Sequence, residues 1–316
     1  MNILVTGGAG FIGSHLIESL LPEDHKVWCL DNFNDYYDPN IKHRNIEKVK
    51  DHPNYTLVQG DILDEPLLDS IFSENNLDMV VHLAARAGVR PSVEQPKLYQ
   101  EVNVRGTINL LEQAKNHAVD KLVIASSSSV YGNNEKVPFS ETDFVDNPIS
   151  PYAATKKACE LIAYTYHALY DISISCLRFF TVYGPRQRPD MAIHKFTRWI
   201  DRDEPIRIFG DGSAQRDFTY IDDIIDGINE SMRRCEGYEI YNLGESKVIQ
   251  LMDLISVIET TLDKKAKIEF YPPQPGDVAI TYADISKAKI KLDYDPSFDI
   301  HEGIRRFVSW YREMNR

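Results

Sequence analysis

The sequence has little of several features that would place it in other protein classes. Its four cysteines, Cys29, Cys159, Cys176 and Cys235, have no paired spacing, which predicts buried reduced thiols rather than disulfides or a metal site. The nine histidines form no ligand pattern either. No apolar stretch approaches the roughly 20 residues of a membrane span, and the first apolar residues have the length of a strand rather than a leader. We therefore expect a cytoplasmic protein.

Clustered positive charge is also missing. The 316-residue chain has a formal net charge of −13 and no basic tract, which argues against nucleic acid or an anionic membrane surface as a partner. Any anionic ligand must therefore be bound by local arginines. The hydrophobic content of 43% is enough for a large core, and we expect an α/β enzyme with a nucleotide domain and a smaller second domain.

A glycine-rich turn stands near the start of the chain. An apolar run over 2–6 leads into Gly7-Gly-Ala-Gly10-Phe11-Ile12-Gly13, and 14–21 has helical periodicity. Glycines at these positions let the backbone turn tightly and approach a pyrophosphate, whose charge is met by unpaired N–H groups at the start of the helix. The pattern predicts a dinucleotide site, although a glycine triplet alone is weak evidence.

An acidic residue at the end of the second strand strengthens this prediction. Asp31 ends an apolar run over 26–31 and follows Gly13 by 18 residues, where a carboxylate can accept hydrogen bonds from the adenine ribose. NAD is favoured over NADP, because the 2′-phosphate of NADP would meet a like charge. The alternative is that Asp31 only caps a loop together with Asn32.

Strand and helix patterns alternate through the first part of the chain, which predicts a doubly wound parallel (Rossmann) sheet. The predicted strands are 2–6, 26–31, 55–59, 79–83, 121–125 and 172–178, and the predicted helices between them include 66–72, 96–115 and 151–170. After residue 180 the pattern becomes irregular, with one helix near 251–261. We interpret 1–180 as the NAD-binding domain and 181–316 mainly as a smaller α/β substrate lobe, with some segments returning to the first domain.

Ligands of such sheets bind beyond the carboxyl ends of the strands. Four segments follow predicted strands and are candidate ligand contacts: 60–62, 84–90, 126–129 and 179–188. The candidate cofactor residues among and beside them are Asp61, Ile62, Leu83, Ala84 and Ala85.

The helix predicted over 151–170 carries a tyrosine and a lysine four residues apart. Ser150 suits its N-cap and Pro151 its first position, so Tyr152 and Lys156 share one face. A phenol ionises only near pH 10, but a nearby ammonium and an oxidised nicotinamide ring both favour the phenolate that a base requires. The alternative is a chance Tyr-x-x-x-Lys on a surface helix, which the preceding serine-rich strand end and the dinucleotide turn make less attractive.

Taken together, these motifs resemble those of the extended short-chain dehydrogenase/reductase superfamily, in its group of nucleotide-sugar epimerases and dehydratases. The motifs, in the family's order, are Thr6-Gly-Gly-Ala-Gly-Phe-Ile-Gly-Ser-His15, His82-Leu-Ala-Ala, Ser129-Val-Tyr131-Gly, Tyr152-x-x-x-Lys156 and Arg216-Asp-Phe-Thr-Tyr-Ile-Asp223. The resemblance covers nearly the whole chain. It implies catalytic roles for Tyr152, Lys156 and Ser127, with Ser128 selected instead if the match is shifted by one residue.

The residues before Val-Tyr-Gly separate the reactions of this group. Relatives that eliminate water have Asp-Glu there and relatives that decarboxylate have Glu, whereas this chain has Ser128 and Ser129. The resemblance therefore implies a 4-epimerisation. Tyr152 removes the proton of the 4-hydroxyl, C4 passes hydride to NAD, the ketosugar rotates, and hydride returns to its other face. NAD is unchanged after each turn and is expected to stay tightly bound.

Several segments resemble UDP-glucuronate 4-epimerases more than UDP-galactose 4-epimerases. They include 31–39, 86–90 and 179–191, and Thr181 stands where the galactose enzymes usually have Asn. Thr181 and Arg188 could hold the sugar carboxylate and keep the 4-keto acid from losing CO2. The alternatives are that Arg188 is a loop residue contacting phosphate or solvent, and that the chain is a UDP-glucose/UDP-galactose 4-epimerase.

The resemblance implicates a looser set of residues in binding the UDP moiety. These are Arg216 for the phosphates, Ile208 within 206–209 for the base, Asp277 near the ribose or an arginine, and also Lys195. Arg86 and Arg90 are candidates for contacts with the substrate or the nicotinamide side, or alternatively salt-bridge partners of nearby acids. Gln274 stands where the galactose enzymes often have Arg. Helices over 98–114 and 158–168 could form a homodimer interface, although their pattern equally suits burial within one chain. A catalytically silent NAD-binding protein is a remote alternative.

Overall fold

The central structural element is a parallel β-sheet with helices on both faces, which the computed structural model describes for residues 1–273 and 278–315. The strands are β1 (Asn2–Thr6), β2 (Lys26–Asp31), β3 (Tyr55–Gln59), β4 (Met79–His82), β5 (Lys121–Ser127), β6 (Ser173–Phe179), β7 (Thr181–Tyr183), β8 (Pro205–Phe209), β9 (Gln215–Arg216), β10 (Phe218–Tyr220), β11 (Tyr238–Leu243), β12 (Ile249–Gln250) and β13 (Lys267–Tyr271). The α-helices are α1 (Phe11–Leu20), α2 (Pro39–Ile46), α3 (Glu65–Asn75), α4 (Val89–Glu94), α5 (Pro96–Tyr99), α6 (Gly106–Asn116), α7 (Pro151–Tyr170), α8 (Ala192–Asp201), α9 (Ile221–Arg233), α10 (Leu251–Leu262), α11 (Ser286–Leu292) and α12 (Ile300–Met314).

The sheet has the strand order β11-β6-β5-β4-β1-β2-β3, and all neighbouring strands in it are parallel. The order reverses between β1 and β4, so the chain leaves β1 in one direction and returns on its other side. Such a reversal leaves a crevice at the carboxyl ends of the strands, where ligands bind. The predicted doubly wound fold is therefore confirmed.

Alternating residues of the central strands pack into the two layers of helices. Ile3 and Val5 lie in one buried cluster and Leu4 in the other, each with no exposed surface. Full burial of such a side chain stabilises a fold by about 1.5–3 kcal/mol. Strands buried on both faces are apolar throughout, which is why the sequence shows continuous apolar runs rather than strict alternation.

Most strand and helix predictions in the first 180 residues are confirmed within one or two residues. The helix predicted over 66–72 is longer, at Glu65–Asn75, and the segment predicted as one helix over 96–115 is divided into α5, a π-helical stretch (Gln100–Arg105) and α6. The prediction of an irregular chain after residue 180 was wrong in detail, because α8, α9, α11 and α12 lie there. β11 joins the sheet beside β6, while the boundary at residue 180 stays a prediction.

The start of α7 is set by its sequence. The Ser150 side chain accepts a hydrogen bond from the Ala153 backbone N–H at 3.1 Å, and Pro151 occupies the first turn. The predicted N-cap is confirmed. The helix packs against β5 and β6, so its first turns lie beside the carboxyl end of β5.

All four cysteines are buried and free. Burial raises the pKa of the Cys29 thiol to about 12, which makes this thiol unreactive at neutral pH. Within residues 1–273 and 278–315, no helix is both long enough and apolar enough to cross a membrane.

Candidate active site

A cleft of about 470 Å³ opens at the carboxyl ends of the central strands. The sequence-predicted residues that line it are Gly7, Gly10, Phe11, Ile12, Gly13, Asp31, Asn32, Asp61, Ile62, Leu83, Ala84, Ala85, Ser127, Ser128, Tyr152, Lys156, Thr181 and Arg188. The predicted cofactor and catalytic residues thus lie in one cavity. We call the side formed by residues 7–13, Asp31 and Ala84 the glycine wall, and the side formed by Tyr36, Thr181 and Arg188 the arginine wall.

The glycine wall depends on close contacts between main-chain atoms. Gly7 has a φ of +69°, and an added Cβ there would lie 2.8 Å from the Ala84 nitrogen. An added Cβ at Gly13 would lie 2.4 Å from the Gly7 carbonyl oxygen. In the described chain no side chain caps the N-terminus of α1, so its first N–H groups remain available beside the cleft. This cradle fits a pyrophosphate.

Asp31 at the end of β2 caps the following loop and also lines the cleft. One carboxylate oxygen accepts hydrogen bonds from the Phe33 N–H at 2.9 Å and the Lys42 ammonium at 2.9 Å, and the other accepts from the Ala9 N–H at 3.2 Å. Sequence reasoning missed Lys42, whose buried side chain lines the cleft beside Asp31.

The predicted catalytic residues line the same cleft as the two walls. The Lys156 ammonium is buried and donates to the Ala125 carbonyl oxygen at 2.6 Å, which ties it to the end of β5. The Ser127 hydroxyl donates to the Ser129 hydroxyl at 3.1 Å and accepts from the Ser129 N–H at 3.2 Å. Tyr152 and Lys156 both line the cleft with Ser127, as their spacing on α7 predicted.

A buried ion pair ties α7, the helix that carries Tyr152 and Lys156, to the central sheet. Arg178 on β6 donates two hydrogen bonds of 2.8 Å to the Glu160 carboxylate on α7, and Ser126 donates a third at 2.6 Å. Burial opposes the charge on Glu160, but the hydrogen bond and charge of Arg178 outweigh it and lower the pKa of this carboxyl. The pair therefore fixes α7 against β6, and the Ser126 hydrogen bond to the same carboxylate ties α7 to β5, the strand that carries Ser127. Sequence reasoning missed it, and the only signal is an acidic residue four positions after Lys156.

Asn103 on the π-helical stretch anchors the loop after β4. Its side chain accepts from the Arg86 N–H at 2.8 Å, donates to the Arg86 carbonyl at 3.0 Å, and donates to the Thr155 hydroxyl at 3.1 Å. The extra residue per turn of a π-helix is frequent at functional sites, and here it accompanies a contact between the loop and the catalytic helix.

The arginine wall contains residues that were predicted and residues that were not. Thr181 and Arg188 line the cleft as expected. Arg188 also pairs with Asp190, with Nε–Oδ1 and Nη2–Oδ2 distances of 2.9 and 2.8 Å. The guanidinium lies 5.5 Å from the centre of the Tyr36 ring. Tyr36 lines the cleft and belongs to the loop after β2, and neither it nor Asp190 was predicted as a site residue.

Of the remaining candidates, Arg86 lines the cleft. Among the described residues that line it there is no Ile208, Arg90, Arg216 or Lys195. Ile208 is fully buried in the core, and the Arg90 guanidinium lies 4.5 Å from the centre of the Phe209 ring. Arg216 donates to the backbone carbonyl of Gln215 at 2.8 Å. Burial lowers the pKa of Lys195. Asp277 and Gln274 lie outside the described residues. The substrate contacts assigned to all of these residues stay predictions.

The family follows from comparison of the sequence with known proteins. A model of the family described as GDP-mannose 4,6-dehydratase matches residues 4–307. The chain belongs to this family. It is a branch of the extended short-chain dehydrogenases/reductases, so the predicted resemblance is confirmed.

Relatives within the family carry a more specific name. The chain is 49% identical over 311 residues to a UDP-glucuronate 4-epimerase of Thermodesulfobacterium geofontis, covering 98% of this chain and 96% of that one. It is 44% identical to UDP-glucuronate 4-epimerase 3 of Arabidopsis thaliana, covering 98% and 76% of the two chains. Although the family takes its name from a dehydratase, these relatives are epimerases.

Solved structures of epimerases have the same fold. A UDP-glucuronic acid 4-epimerase of Bacillus cereus in complex with UDP-glucuronic acid and NAD matches with a TM-score of 0.94 at 38% identity, over 99% of this chain and all of that one. A UDP-glucose 4-epimerase of Thermotoga maritima with UDP-glucose matches with a TM-score of 0.93 at 33% identity, over all of both chains.

Proposed function

We propose that this protein is an NAD-dependent 4-epimerase that interconverts UDP-glucuronate and UDP-galacturonate. The observation that carries the proposal is the meeting of three features in one cleft: the glycine wall, the trio Ser127, Tyr152 and Lys156, and the pair Thr181 and Arg188. The epimerase relatives, and the Bacillus cereus enzyme with UDP-glucuronic acid and NAD, support the same reaction.

The residues present fit NAD. The main chain at Gly7 and Gly13 packs too closely for any side chain, which suits the close approach of a pyrophosphate, and the Asp31 carboxylate lines the cleft where a ribose would hydrogen-bond. The other proposed cofactor contacts are Gly10, Phe11, Ile12, Asn32, Asp61, Ile62, Leu83, Ala84 and Ala85. When bound, NAD supplies reversible acceptance of a hydride from the sugar.

Three side chains are proposed to act on the 4-hydroxyl of the sugar and its proton. Tyr152 is the proposed base and later the acid, and Lys156, whose buried ammonium is fixed on the Ala125 carbonyl, lies on the same helix. Ser127 is the proposed hydrogen-bond partner of the 4-oxygen. Glu160 holds the helix that carries Tyr152 against both neighbouring strands, through Arg178 on β6 and through Ser126 on β5, the strand that carries Ser127.

The residues around this trio favour epimerisation over neighbouring reactions. Ser128 and Ser129 line the cleft where relatives that dehydrate or decarboxylate have acids, so no second acid is present there to drive elimination. Thr181 and Arg188 would bind the sugar carboxylate and hold it out of alignment with the C4 carbonyl. A neutral hydroxymethyl group would not need such a charge-assisted contact.

A UDP-glucose/UDP-galactose 4-epimerase is the second candidate. The Thermotoga maritima enzyme with UDP-glucose favours it, because its TM-score of 0.93 to this chain is close to the 0.94 of the Bacillus cereus UDP-glucuronic acid 4-epimerase. The chain is 33% identical to that enzyme but 49% identical to the UDP-glucuronate 4-epimerase of Thermodesulfobacterium geofontis. A neutral sugar also has no carboxylate that Arg188 could bind. A silent NAD-binding protein would need no intact Ser127, Tyr152 and Lys156.

One experiment separates the candidates. The purified protein is incubated without added NAD, separately with UDP-glucuronate and UDP-glucose, and the products are followed by proton NMR. UDP-galacturonate from the first and little change in the second supports the proposal and indicates that NAD remains bound through purification. The reverse pattern refutes the role of Thr181 and Arg188, and a UDP-pentose with released CO2 refutes the exclusion of decarboxylation.

We also propose a homodimer through α6 and α7, which pack side by side. Leu161 and Tyr164 on α7 are 57% and 54% exposed, so this face has apolar side chains without cover. We expect sedimentation at twice the 36.2 kDa chain mass, and at the single mass for Leu161→Asp. Phe144→Asp, at a residue 92% exposed elsewhere, is the control. A monomeric wild type contradicts the interface. The cytoplasmic location stays a prediction.

A further inference from the structure

The Arg188 guanidinium is held on one edge by a carboxylate. Its Nε donates to Asp190 Oδ1 at 2.9 Å and its Nη2 donates to Oδ2 at 2.8 Å, a bidentate geometry that fixes the plane of the group. The side chain is 21% exposed and lines the cleft. Nη1 makes no hydrogen bond within the described part of the chain, so the opposite edge remains available to a ligand.

A tyrosine ring covers a face of the same group. The guanidinium carbon of Arg188 lies 5.5 Å from the centre of the Tyr36 ring, and that of Arg86 lies 5.7 Å from it. Tyr36 is itself confined: an added Cβ at Gly88, where φ is +105°, would lie 2.9 Å from its hydroxyl. Its backbone N–H also donates to the Asn34 side chain at 3.1 Å.

Both ends of the ion pair keep their charge. Burial opposes the charge on Asp190, but the hydrogen bond and charge of Arg188 outweigh it and lower the pKa of the carboxyl. Burial likewise opposes the charge on Arg188, and Asp190 raises the pKa of the guanidinium above its usual value. An anion beside an anion-binding arginine reduces the net attraction for a substrate carboxylate, so its presence requires an explanation other than charge.

We propose that Asp190 and Tyr36 are positioning residues that fix the Arg188 guanidinium with its Nη1 edge available to the carboxylate of the sugar. This inference rests on the proposed function. An arginine that is already ordered loses little side-chain freedom when the substrate binds, and it offers its donors in one geometry. Asp190 would then give selectivity for an acid sugar at the cost of some electrostatic attraction.

A competing explanation predicts the opposite sign. If Asp190 only neutralised Arg188, its removal would release the guanidinium and strengthen the binding of an acid sugar. If it positions Arg188, its removal lets the arginine move and weakens that binding, because a misplacement of about 1 Å can reduce the rate by about 100-fold. Asp190→Asn keeps the shape of the side chain and removes its charge, so it distinguishes the two.

The experiment compares the wild type with Asp190→Asn, Tyr36→Phe and Tyr36→Leu, each alone and combined with Arg188→Ala. For each variant kcat, KM and the dissociation constant are measured with UDP-glucuronate and UDP-glucose. We expect Asp190→Asn and Tyr36→Leu to lower kcat/KM for UDP-glucuronate by about tenfold or more, to change UDP-glucose less than about twofold, and to have no further effect beside Arg188→Ala. Tyr36→Phe keeps the ring and should behave like the wild type.

Glu18→Gln is the matched control, because Glu18 pairs with Arg186, two residues before Arg188, and neither residue lines the cleft. Equal losses with both sugars, or a gain with UDP-glucuronate in Asp190→Asn, overturn the inference. A wild type that converts only UDP-glucose contradicts the proposed function instead. The positioning role is then decided by the dissociation constants, and it is overturned if the substitutions affect the two ligands equally.

Discussion

The glycine wall and the arginine wall line one cleft but owe their shape to different contacts. At Gly7 and Gly13 the decisive distances join main-chain atoms within one turn or to the neighbouring strand end. At Arg188 the guanidinium is held by the side chains of Asp190 and Tyr36, and Tyr36 comes from a loop far away in the chain. The turn at Gly7 and Gly13 tolerates almost no added side-chain atom, whereas the side chains around Arg188 can be substituted without moving the main chain. Substitutions in the glycine wall should therefore abolish cofactor binding, and substitutions in the arginine wall should change the selectivity for the sugar.

Removal of the Tyr152 hydroxyl should have the largest effect on the rate. This effect should be similar for UDP-glucuronate and UDP-glucose. Tyr152→Phe keeps the ring, which packs edge-on against Tyr99 with centroids 6.2 Å apart, and removes only the proposed proton acceptor. General acid–base catalysis contributes about 10²–10⁴-fold, so we expect kcat to fall by that range with either sugar. Single-turnover product analysis measures it, and retained NAD and UDP-sugar binding is the control. Activity within tenfold of the wild type would exclude Tyr152 as the base.

Addition of one methyl group should break the glycine wall. In Gly13→Ala the new Cβ would lie 2.4 Å from the Gly7 carbonyl oxygen, a main-chain atom that cannot move away without opening the turn. We expect the affinity for NAD to fall by about 100-fold, and activity with both sugars to fall in proportion unless NAD is supplied in excess.

Bound NAD after purification and its dissociation constant measure this effect. Gly237→Ala strains a positive φ in open space outside the cleft, so it controls for a general loss of stability. Unchanged NAD content in Gly13→Ala would show that the turn can relax.

The contrast between the walls also explains what the sequence could predict. The glycine wall is a contiguous motif at a strand end, so its residues, its fold and the cofactor could be predicted together. Thr181 and Arg188 were found only through resemblance to a family. Tyr36 was missed because its contact joins a loop after β2 to a loop before α8, and nothing in a single sequence pairs these loops. Asp190 was missed although it follows Arg188 by only two residues, because their spacing alone does not show that the two side chains pair.

Secondary structure follows the same rule. Strands buried on both faces, such as β1 and β5, have apolar runs that a local pattern reveals. The amphipathic α8 and α9 were missed although their apolar and polar residues lie on opposite faces with the helical period, which is a local signal for a helix. β11 has a partly exposed first half, and it could be assigned to the sheet only through its pairing with β6.

Removal of Arg188 should affect the arginine wall and leave the other wall intact. Arg188→Ala takes away the proposed partner of the sugar carboxylate, and a hydrogen bond to a charged group contributes about 1.5–3 kcal/mol. We expect kcat/KM for UDP-glucuronate to fall by about 10- to 100-fold, with UDP-glucose and NAD binding nearly unchanged. Some of the product should be a UDP-pentose, because an unclamped 4-keto acid can lose CO2.

Proton NMR of the products and NAD content measure both effects. Arg186→Ala is the control, since Arg186 pairs with Glu18 and does not line the cleft. Equal losses with both sugars would place Arg188 on the phosphates, as the alternative from the sequence holds.

The smallest predicted effect concerns His82, which ends β4 two residues before Ala84 of the glycine wall. His82 is buried; its Nδ1 lies 2.7 Å from the Thr6 hydroxyl and its Nε2 lies 3.1 Å from the Thr107 hydroxyl, which itself donates to the Asn103 carbonyl at 2.6 Å. Thr107 can therefore only accept from His82, so Nε2 carries the proton and Nδ1 accepts from Thr6. Burial, and then the charge of Lys156, lower the pKa of His82 to about 3.

Because the unfolded chain takes up this proton near pH 6.5 and the folded chain only near pH 3, stability present above pH 6.5 is lost as the pH falls through that window. Between pH 7.5 and 5 the loss from His82 should be about 2 kcal/mol. Asp217 acts in the opposite direction, since burial raises its pKa to about 6 and its protonation in the fold stabilises the protein as the pH falls. The difference between wild type and His82→Gln in urea unfolding at both pH values therefore isolates His82. Parallel pH dependences would show that His82 takes up its proton as readily in the folded protein as in the unfolded chain, so that at pH 5 the glycine wall would lie beside a charged imidazole.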